Sequence, residues 1–382
     1  MSASESETRE GRLAAARRIV VKVGSALFVD QKTGALDRRW LEGLCADVAD
    51  LKRAGKEVVI VSSGAVALGI RELGLDPRRA RLDDSQAAAA AGQILLAHAY
   101  QETLASFGLK AAQVLLTLDD SESRRRYLNA SKTLLSLLRY GAVPVVNEND
   151  TVATQELRYG DNDRLSARVA QMITADCLVL LSDVDGLYTA DPRHDSAARH
   201  VPEVTELKGE ILRMAGGPGS THGSGGMRTK LEAARIAMGA GCRMCIASGR
   251  VTRPITALLA GARATWFLPS ATPAAARKQW IAGTLQPKGV ITVDDGAARA
   301  LRAGRSLLPA GVTAVEGQFE RGDAVRVQTT AGVELARGLI AYSAEESRAI
   351  AGSRSESIAE VLGYRGRDEI IHRDDLVLLD AG

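Results

Sequence analysis

Residues 18–25 read Arg-Ile-Val-Val-Lys-Val-Gly-Ser (RIVVKVGS), a β-branched run that ends on a glycine and a serine. Beyond it Asp37 stands as an N-cap, and Trp40, Leu44, Val48 and Leu51 follow at three- and four-residue spacing until Gly55, which predicts a helix. Residues 58–61 (VVIV) give a second strand that closes on Ser62-Ser63-Gly64. Strand, helix, strand at this length is a βαβ unit, and such units pair parallel.

The pattern recurs along the chain. An Ala-rich helix over 85–107 leads to a strand at 114–117, and a helix over 127–140 leads to a strand at 143–146. A helix over 165–173 then leads to a strand at 177–181. These strands end in small or acidic polar residues: Gly24, Ser63, Asn147-Glu148-Asn149-Asp150 and Ser182-Asp183. In an open α/β sheet, ligands bind beyond the carboxyl ends of the strands. The expected fold is therefore α/β, an open, mainly parallel sheet with helices on both faces.

Residues 223–230 (GSGGMRTK) place three glycines within four positions just before an apolar-periodic run, Leu231, Ala234, Ile236 and Ala237. Bare backbone amides at a helix start attract anions, and Lys230 adds a full positive charge in the first turn. The loop is neither a Walker A motif, since Thr229 precedes Lys230 and Leu231 follows it, nor G-x-G-x-x-G, since Arg228 occupies the third glycine position. A flexible surface loop is the alternative reading. A strand from 244 to 247 follows this helix and ends in Ser248-Gly249.

Length and composition set the frame. The 382 residues suffice for two or three domains, and 46% apolar and 25% charged residues with 4% aromatics favour alternating helix and strand. A net charge of +3 makes no demand for a polyanionic partner. The polar N-terminus is neither a signal nor an anchor, and no apolar run reaches spanning length, so a cytoplasmic protein with no membrane association is expected. Cys242 and Cys245 form a C-x-x-C, but no second Cys/His pair stands at ligand spacing, so buried thiols are expected and no metal-binding residue is assigned.

From residue 288 the rhythm changes to short β-rich runs at 290–293, 324–327, 339–342 and 376–379, separated by Gly and Asp turns. The expected organisation is an N-terminal disordered tail over 1–16, an α/β domain over 17–271, a linker over 272–287 in which 272–280 (TPAAARKQW) reads as a short charged connecting helix, and a mostly β domain over 288–382. From residue 276 onward 14 Lys+Arg face 15 Asp+Glu, and no aromatic stacking platform is visible, so RNA binding is not expected.

Three residues are singled out for chemistry. Lys22 lies near a strand end between Val21 and Val23. It is either an edge-strand lysine or a second cation facing Lys230, in which case two ammonium groups and the glycine amides neutralise a phosphoryl group in transfer. Residues 160–163 (GDND) open a helix. Asp161 suits a cap, Asp163 is expected as a buried carboxylate between the two lysines, and Asn162 can donate to and accept from a polar substrate. Residues 151–159 (TVATQELRY) suit a hairpin covering that substrate, and 187–193 a turn-rich loop near a nucleotide base.

Taken in order, VVKVGS, VSSGAVALG, VPVVNEND, GDNDRLSA, LLSDVDGLYTADPR and GSGGMRTK resemble the amino-acid kinase family, and the β tail resembles a PUA domain. The likeness runs from residue 17 to the end. It implies ATP-dependent phosphorylation of the γ-carboxylate of L-glutamate, the first step towards proline, with Mg²⁺ as cofactor. By this resemblance Lys22, Ser182, Asp183, Ser224, Gly225, Gly226, Met227, Arg228, Thr229 and Lys230 would contact ATP. Ser63, Asp150 and Asn162 would bind glutamate, and Lys22 and Lys230 would steady the transferring group. The resemblance further implies a homo-oligomer, dimer or tetramer, inhibited by proline, with Glu156 in the lid that this regulation touches. Ser182 and Arg228 depart from the pattern, standing where relatives often carry Thr and Ser. A carboxylate acceptor is ionised at neutral pH, so no general base is expected.

Overall fold

The computed structural model describes residues 9–30, 33–152, 161–215, 226–283 and 286–379. They divide into two units, Met1–Pro273 and Ala274–Gly382. In the first unit the strands are β1 (Arg18–Val23), β2 (Glu57–Ser62), β3 (Ala111–Leu116), β4 (Val143–Glu148) and β5 (Cys177–Ser182). A two-stranded antiparallel ladder of β6 (Leu187–Tyr188) and β7 (His200–Val201) follows, then β8 (Glu203–Val204), β9 (Arg243–Ser248) and β10 (Ala264–Phe267). The main sheet has the lateral order β3-β4-β2-β1-β5-β9-β10-β8, and every pair from β3 to β9 is parallel. The expected open, mainly parallel sheet is what forms, with β1 near its middle. Strand β10, antiparallel to β9, has no counterpart in the sequence reading.

The helices are α1 (Arg9–Ala14), α2 (Arg38–Arg53), α3 (Ala65–Glu72), α4 (Leu82–Ser106), α5 (Leu118–Glu122), α6 (Arg124–Arg139), α7 (Asp161–Met172), α8 (Gly209–Met214), α9 (Met227–Gly239) and α10 (Pro254–Leu259). Asp37 caps α2 by accepting from the Trp40 amide at 3.0 Å. Side chains alternate across a strand, so β1 feeds two cores. Ile19, Val21 and Val23 join one with α2, α4 and α10, while Val20 joins the other with α6, α7 and α9. Lys22 shares the parity of Val20 and so points towards α7 and α9. Asp47 on α2 is buried and satisfied: it accepts from Arg253 Nε at 2.7 Å and from the Ile255 amide at 2.8 Å, at the start of α10.

Within the stretch 1–16 expected to be a disordered tail, Arg9–Ala14 form α1, and Leu13 and Ala16 are buried in the first core. The short connecting helix expected at 272–280 forms as α11 (Pro273–Gly283), whose Ile281 packs on Ala324 and Leu339.

The second unit holds β11 (Gly289–Val293), β12 (Val312–Gly317), β13 (Ala324–Thr329), β14 (Glu334–Leu339) and β15 (Leu376–Leu378), in the order β12-β11-β13-β14-β15. Helices α12 (Asp295–Arg302), α13 (Ala344–Ile350) and α14 (Ile358–Leu362) cover a core that includes Ile291, Val325, Tyr342 and Ile371. The strand expected over 339–342 is displaced: the ladder ends at Leu339, and Ile340-Ala341-Tyr342 are buried outside it. Burial alone gave that run the look of a strand.

The Ala-rich start of α4 has a packing reason. It crosses α3 so closely that a Cβ on Gly92 would stand 1.8 Å from the Ala65 carbonyl oxygen, and one on Gly69 would stand 1.7 Å from that of Ala88. Backbone cannot retreat as a side chain can. Gly92→Ala is therefore expected to destabilise the first unit by at least about 1–3 kcal/mol, the usual cost of overpacking. The readout is a lowered midpoint in urea unfolding, and an unchanged midpoint would show that the two helices separate freely.

Candidate active site

Three elements converge on one carboxylate. Asp163, in the first turn of α7, is 0% exposed; Lys22 Nζ lies 2.6 Å from its Oδ1 and Lys230 Nζ 3.1 Å from its Oδ2. Thr229 Oγ1 donates to the same Oδ2 at 2.9 Å. Lys22 and Lys230 are themselves only 7% and 8% exposed. Lys22 is not an edge lysine, since its backbone register pairs it with Val61 of β2 on one side and Leu180 of β5 on the other.

The electrostatics are those of a buried, incompletely balanced cluster. Burial pushes the Lys22 ammonium below the ordinary lysine range; Asp163 opposes that shift and Lys230 adds to it. Burial by itself would raise Asp163, but the charges of Lys22 and Lys230 hold its carboxyl below the usual range. Two cations around one anion leave a net charge of +1 in a low-dielectric setting, which an incoming anion can neutralise.

The remaining candidates lie around this centre at the carboxyl ends of the strands. Ser62 and Ser63 close β2, and the Ser63 amide donates to the Val23 carbonyl at 3.2 Å. Gly64 follows with φ of 105°, the left-handed conformation that opens α3. Asn162, beside Asp163, donates from Nδ2 to Ser63 Oγ at 2.9 Å and to Asn147 Oδ1 at 3.2 Å. Asp150 opens a short 3₁₀ turn, Asp150–Val152, just after β4. Ser182 and Asp183 end β5, with Ser182 Oγ donating to Asp183 Oδ1 at 3.0 Å.

The glycine-rich loop is partly described. Ser224 and Gly225 lie outside the described residues, as do the hairpin segment 153–160 and Glu156 within it. Gly226 is the N-cap of α9, which starts at Met227, so the backbone amides of Met227, Arg228 and Thr229 are the first of the helix and lack intrahelical acceptors. Thr229 Oγ1 also lies 2.9 Å from the Gly226 carbonyl oxygen, so its single proton is shared between that carbonyl and Asp163, and the contact with Asp163 turns the hydroxyl inward. Arg228 is exposed and pairs with Glu232 at 3.3 Å, along its own helix.

Sequence reasoning passed over three contributors. Arg250 Nε donates to the Asp183 carbonyl at 2.9 Å and ties the ends of β5 and β9 together. Asn147 bonds Asn162 and also donates to Gln93 Oε1 on α4 at 2.7 Å. The available signal was that Gln93 is the single polar side chain between Ala87 and Ala97. Cys242 and Cys245 are buried free thiols, pushed well above the ordinary range by burial. Among the described residues no group of three or more His, Cys, Asp or Glu is arranged to hold a metal ion.

The sequence profile described as "Amino acid kinase family" matches residues 17–248, and the PUA domain profile matches residues 289–362. A glutamate 5-kinase of Paramagnetospirillum magneticum is 62% identical over 96% of this chain and 99% of its own length. One from Rhodospirillum rubrum is 60% identical over 94% of this chain and 96% of its own. One from Caulobacter vibrioides is 58% identical over 97% and 98% respectively. Over its α/β unit the chain belongs to the amino acid kinase family, in its glutamate 5-kinase branch, with a PUA domain following.

Proposed function

We propose that this chain transfers the γ-phosphoryl group of ATP to the γ-carboxylate of L-glutamate, giving γ-glutamyl phosphate and ADP, the first step towards proline. The observation that carries this reading is the convergence of Lys22 and of Lys230 and Thr229, in the first turn of α9, on the buried Asp163. Near-full-length similarity to glutamate 5-kinases supports the choice of substrate.

The acceptor carboxylate is already ionised at neutral pH, so no proton has to be removed before attack. One carboxylate oxygen forms a bond to the γ-phosphorus while the bond from that phosphorus to the β,γ-bridging oxygen breaks, and the electron pair leaves with ADP. What opposes the step is repulsion between two anions. Lys22 and Lys230 oppose that repulsion at the phosphoryl oxygens, and Asp163 keeps the two ammonium groups in place. Ser182 and Asp183 line the nucleotide side with Gly226 to Lys230, and Ser63, Asp150 and Asn162 line the glutamate side.

Mg²⁺ fits this donor set as an ion carried chiefly on the triphosphate. Asp163 is taken up by its ammonium and hydroxyl partners, and no clustered acids among the described residues form a cage. When bound, Mg²⁺ supplies further neutralisation of phosphate charge. Inhibition by proline, assembly as a homo-oligomer and a cytoplasmic location belong to the same proposal and rest on the family likeness. No helix among the described residues is long and apolar enough to cross a membrane.

Hydroxylamine trapping of the acyl phosphate, with ADP release measured alongside, tests the reaction: glutamate is expected to support turnover, and N-acetylglutamate and carbamate are not. Lys230→Ala is expected to lower kcat by roughly 10²-fold or more, the usual loss for one electrostatic stabiliser; unaltered turnover removes Lys230 from the mechanism. Asp163→Asn leaves two buried ammonium groups without their counter-charge. It is expected to cost about 3–5 kcal/mol in urea unfolding, and a wild-type midpoint would contradict the central role given to the carboxylate.

The lowered pKa of Lys22 sets the alkaline limit. Its proton leaves at a lower pH than that of a free lysine, so kcat/KM for ATP is expected to fall on the alkaline side before pH reaches about 10.4. A profile that stays level up to the ordinary lysine range would separate Lys22 from nucleotide binding. On the acid side the sign reverses. The stabilisation from the depressed Asp163 carboxyl is fully present above its unfolded value and is lost as pH falls through its folded value.

A further inference from the structure

Asn162 has a one-sided amide. Its Nδ2 donates to Ser63 Oγ at 2.9 Å, to Asn147 Oδ1 at 3.2 Å and, at the limit of bonding distance, to the Ser62 carbonyl at 3.5 Å. Its Oδ1 is buried and has no hydrogen-bond partner among the described residues. A buried acceptor left without a donor is costly, and a ligand that brings an N–H relieves the cost.

The direction of this amide is set from behind. Ser63 has a rotatable hydroxyl that can donate or accept, so it cannot choose which end of Asn162 faces it. Asn147, 2% exposed, can choose, because its own Nδ2 donates to Gln93 Oε1 at 2.7 Å and its Oδ1 is thereby turned to Asn162. Were Asn147 alone to turn over, its oxygen would meet the Gln93 oxygen and its NH₂ would meet that of Asn162. The Ser62 carbonyl, which only accepts, favours the same direction at the other end. Each side chain comes from a different element: α4, β4 and α7.

Building on the function proposed above, we infer that Gln93 is a positioning residue for the amino-acid site. Through Asn147 it holds Asn162 with the oxygen as the free end, presented to the α-ammonium group of the substrate. This makes a free amino group a recognised feature: a dicarboxylic acid without one leaves the Asn162 oxygen unsatisfied, and Gln93 governs that discrimination without touching the substrate.

The test compares L-glutamate with glutarate, the same diacid without the amino group, using the full chain and ADP release at saturating ATP. Where glutarate turns over too slowly, its competitive inhibition constant replaces its kcat/KM. Gln93→Met, similar in length and without the amide, is expected to reduce the preference for glutamate over glutarate roughly tenfold, about one net hydrogen bond. The loss is expected in KM for glutamate, with kcat and KM for ATP retained. Gln93→Glu can only accept from Asn147, so it enforces the present direction and is expected to keep the preference. Circular dichroism establishes folding, and Gln93→Ala, favourable in a helix, is the second variant should Met fail. A preference unchanged in the folded Met or Ala variant, or a loss equal for both acids or equal in the Glu variant, overturns the inference. A wild-type chain inactive on glutamate overturns the functional reading beneath it as well.

Discussion

The buried Asp163 carboxylate is the constraint on which the first unit turns. Taking one carboxylate and two ammonium groups out of water is expensive unless each finds its partners, and here α7, β1 and α9 must all be in register for that to happen. The cluster is thus a specification of fold as well as of site, because sliding α9 by one residue would bury Lys230 away from its counter-charge. Thr229 extends the same constraint into the glycine-rich loop by linking Asp163 Oδ2 to the Gly226 carbonyl. The backbone at Gly226, the N-cap of α9, is therefore tied to the group that holds the lysines.

Sheet topology explains why this happens at β1. The chain grows from β1 towards β2, β4 and β3 on one side, and towards β5 and β9 on the other. The helices following β1 and β5 therefore diverge and leave a crevice at the carboxyl ends. Strand parity then sends Lys22 to the α7 and α9 face, while Val21 and Val23 remain in the opposite core. Shifting β1 by one residue would exchange these faces and place a charge among Trp40, Leu44 and Tyr100.

Much of this was legible before coordinates. The apolar runs at 18–23, 58–61, 143–146 and 177–181 were readable as parallel strands because helices of regular period separate them. Lys22, Asp163 and Lys230 stood out because each is polar where the local pattern calls for an apolar or merely capping residue. What could not be read has a common cause, dependence on distant partners. Nothing local marks Ala264–Phe267 as antiparallel, and nothing in the GMRTK run tells whether the Thr229 hydroxyl faces a nucleotide or Asp163. Gln93 is visible as an interruption in an alanine run, but its meaning depends on Asn147, far along the chain, being at its side. The segments 153–160 and 216–225, where the sequence places the covering hairpin and the start of the glycine loop, lie outside the described residues, so those expectations have no structural counterpart.

In the function proposed above, the two sides of the site would solve different electrostatic problems with different chemistry. On the nucleotide side the charges are real and partly unbalanced, and burial keeps them effective because water cannot screen them. On the side proposed for the amino acid, the groups bonded to Asn162 are neutral, amides, a hydroxyl and a carbonyl, while Asp150 adds negative charge and no cation. Fixed cations there would bind the acceptor carboxylate tightly in the ground state and lower its reactivity towards phosphorus, which raises the barrier that binding is meant to reduce. Oriented amide dipoles can instead recognise the amino end of the substrate while leaving the reacting carboxylate to meet positive charge only beside the phosphoryl group. Because an amide is directional but uncharged, its selectivity depends entirely on which end faces the ligand, and that orientation is a property of the chain of hydrogen bonds behind it.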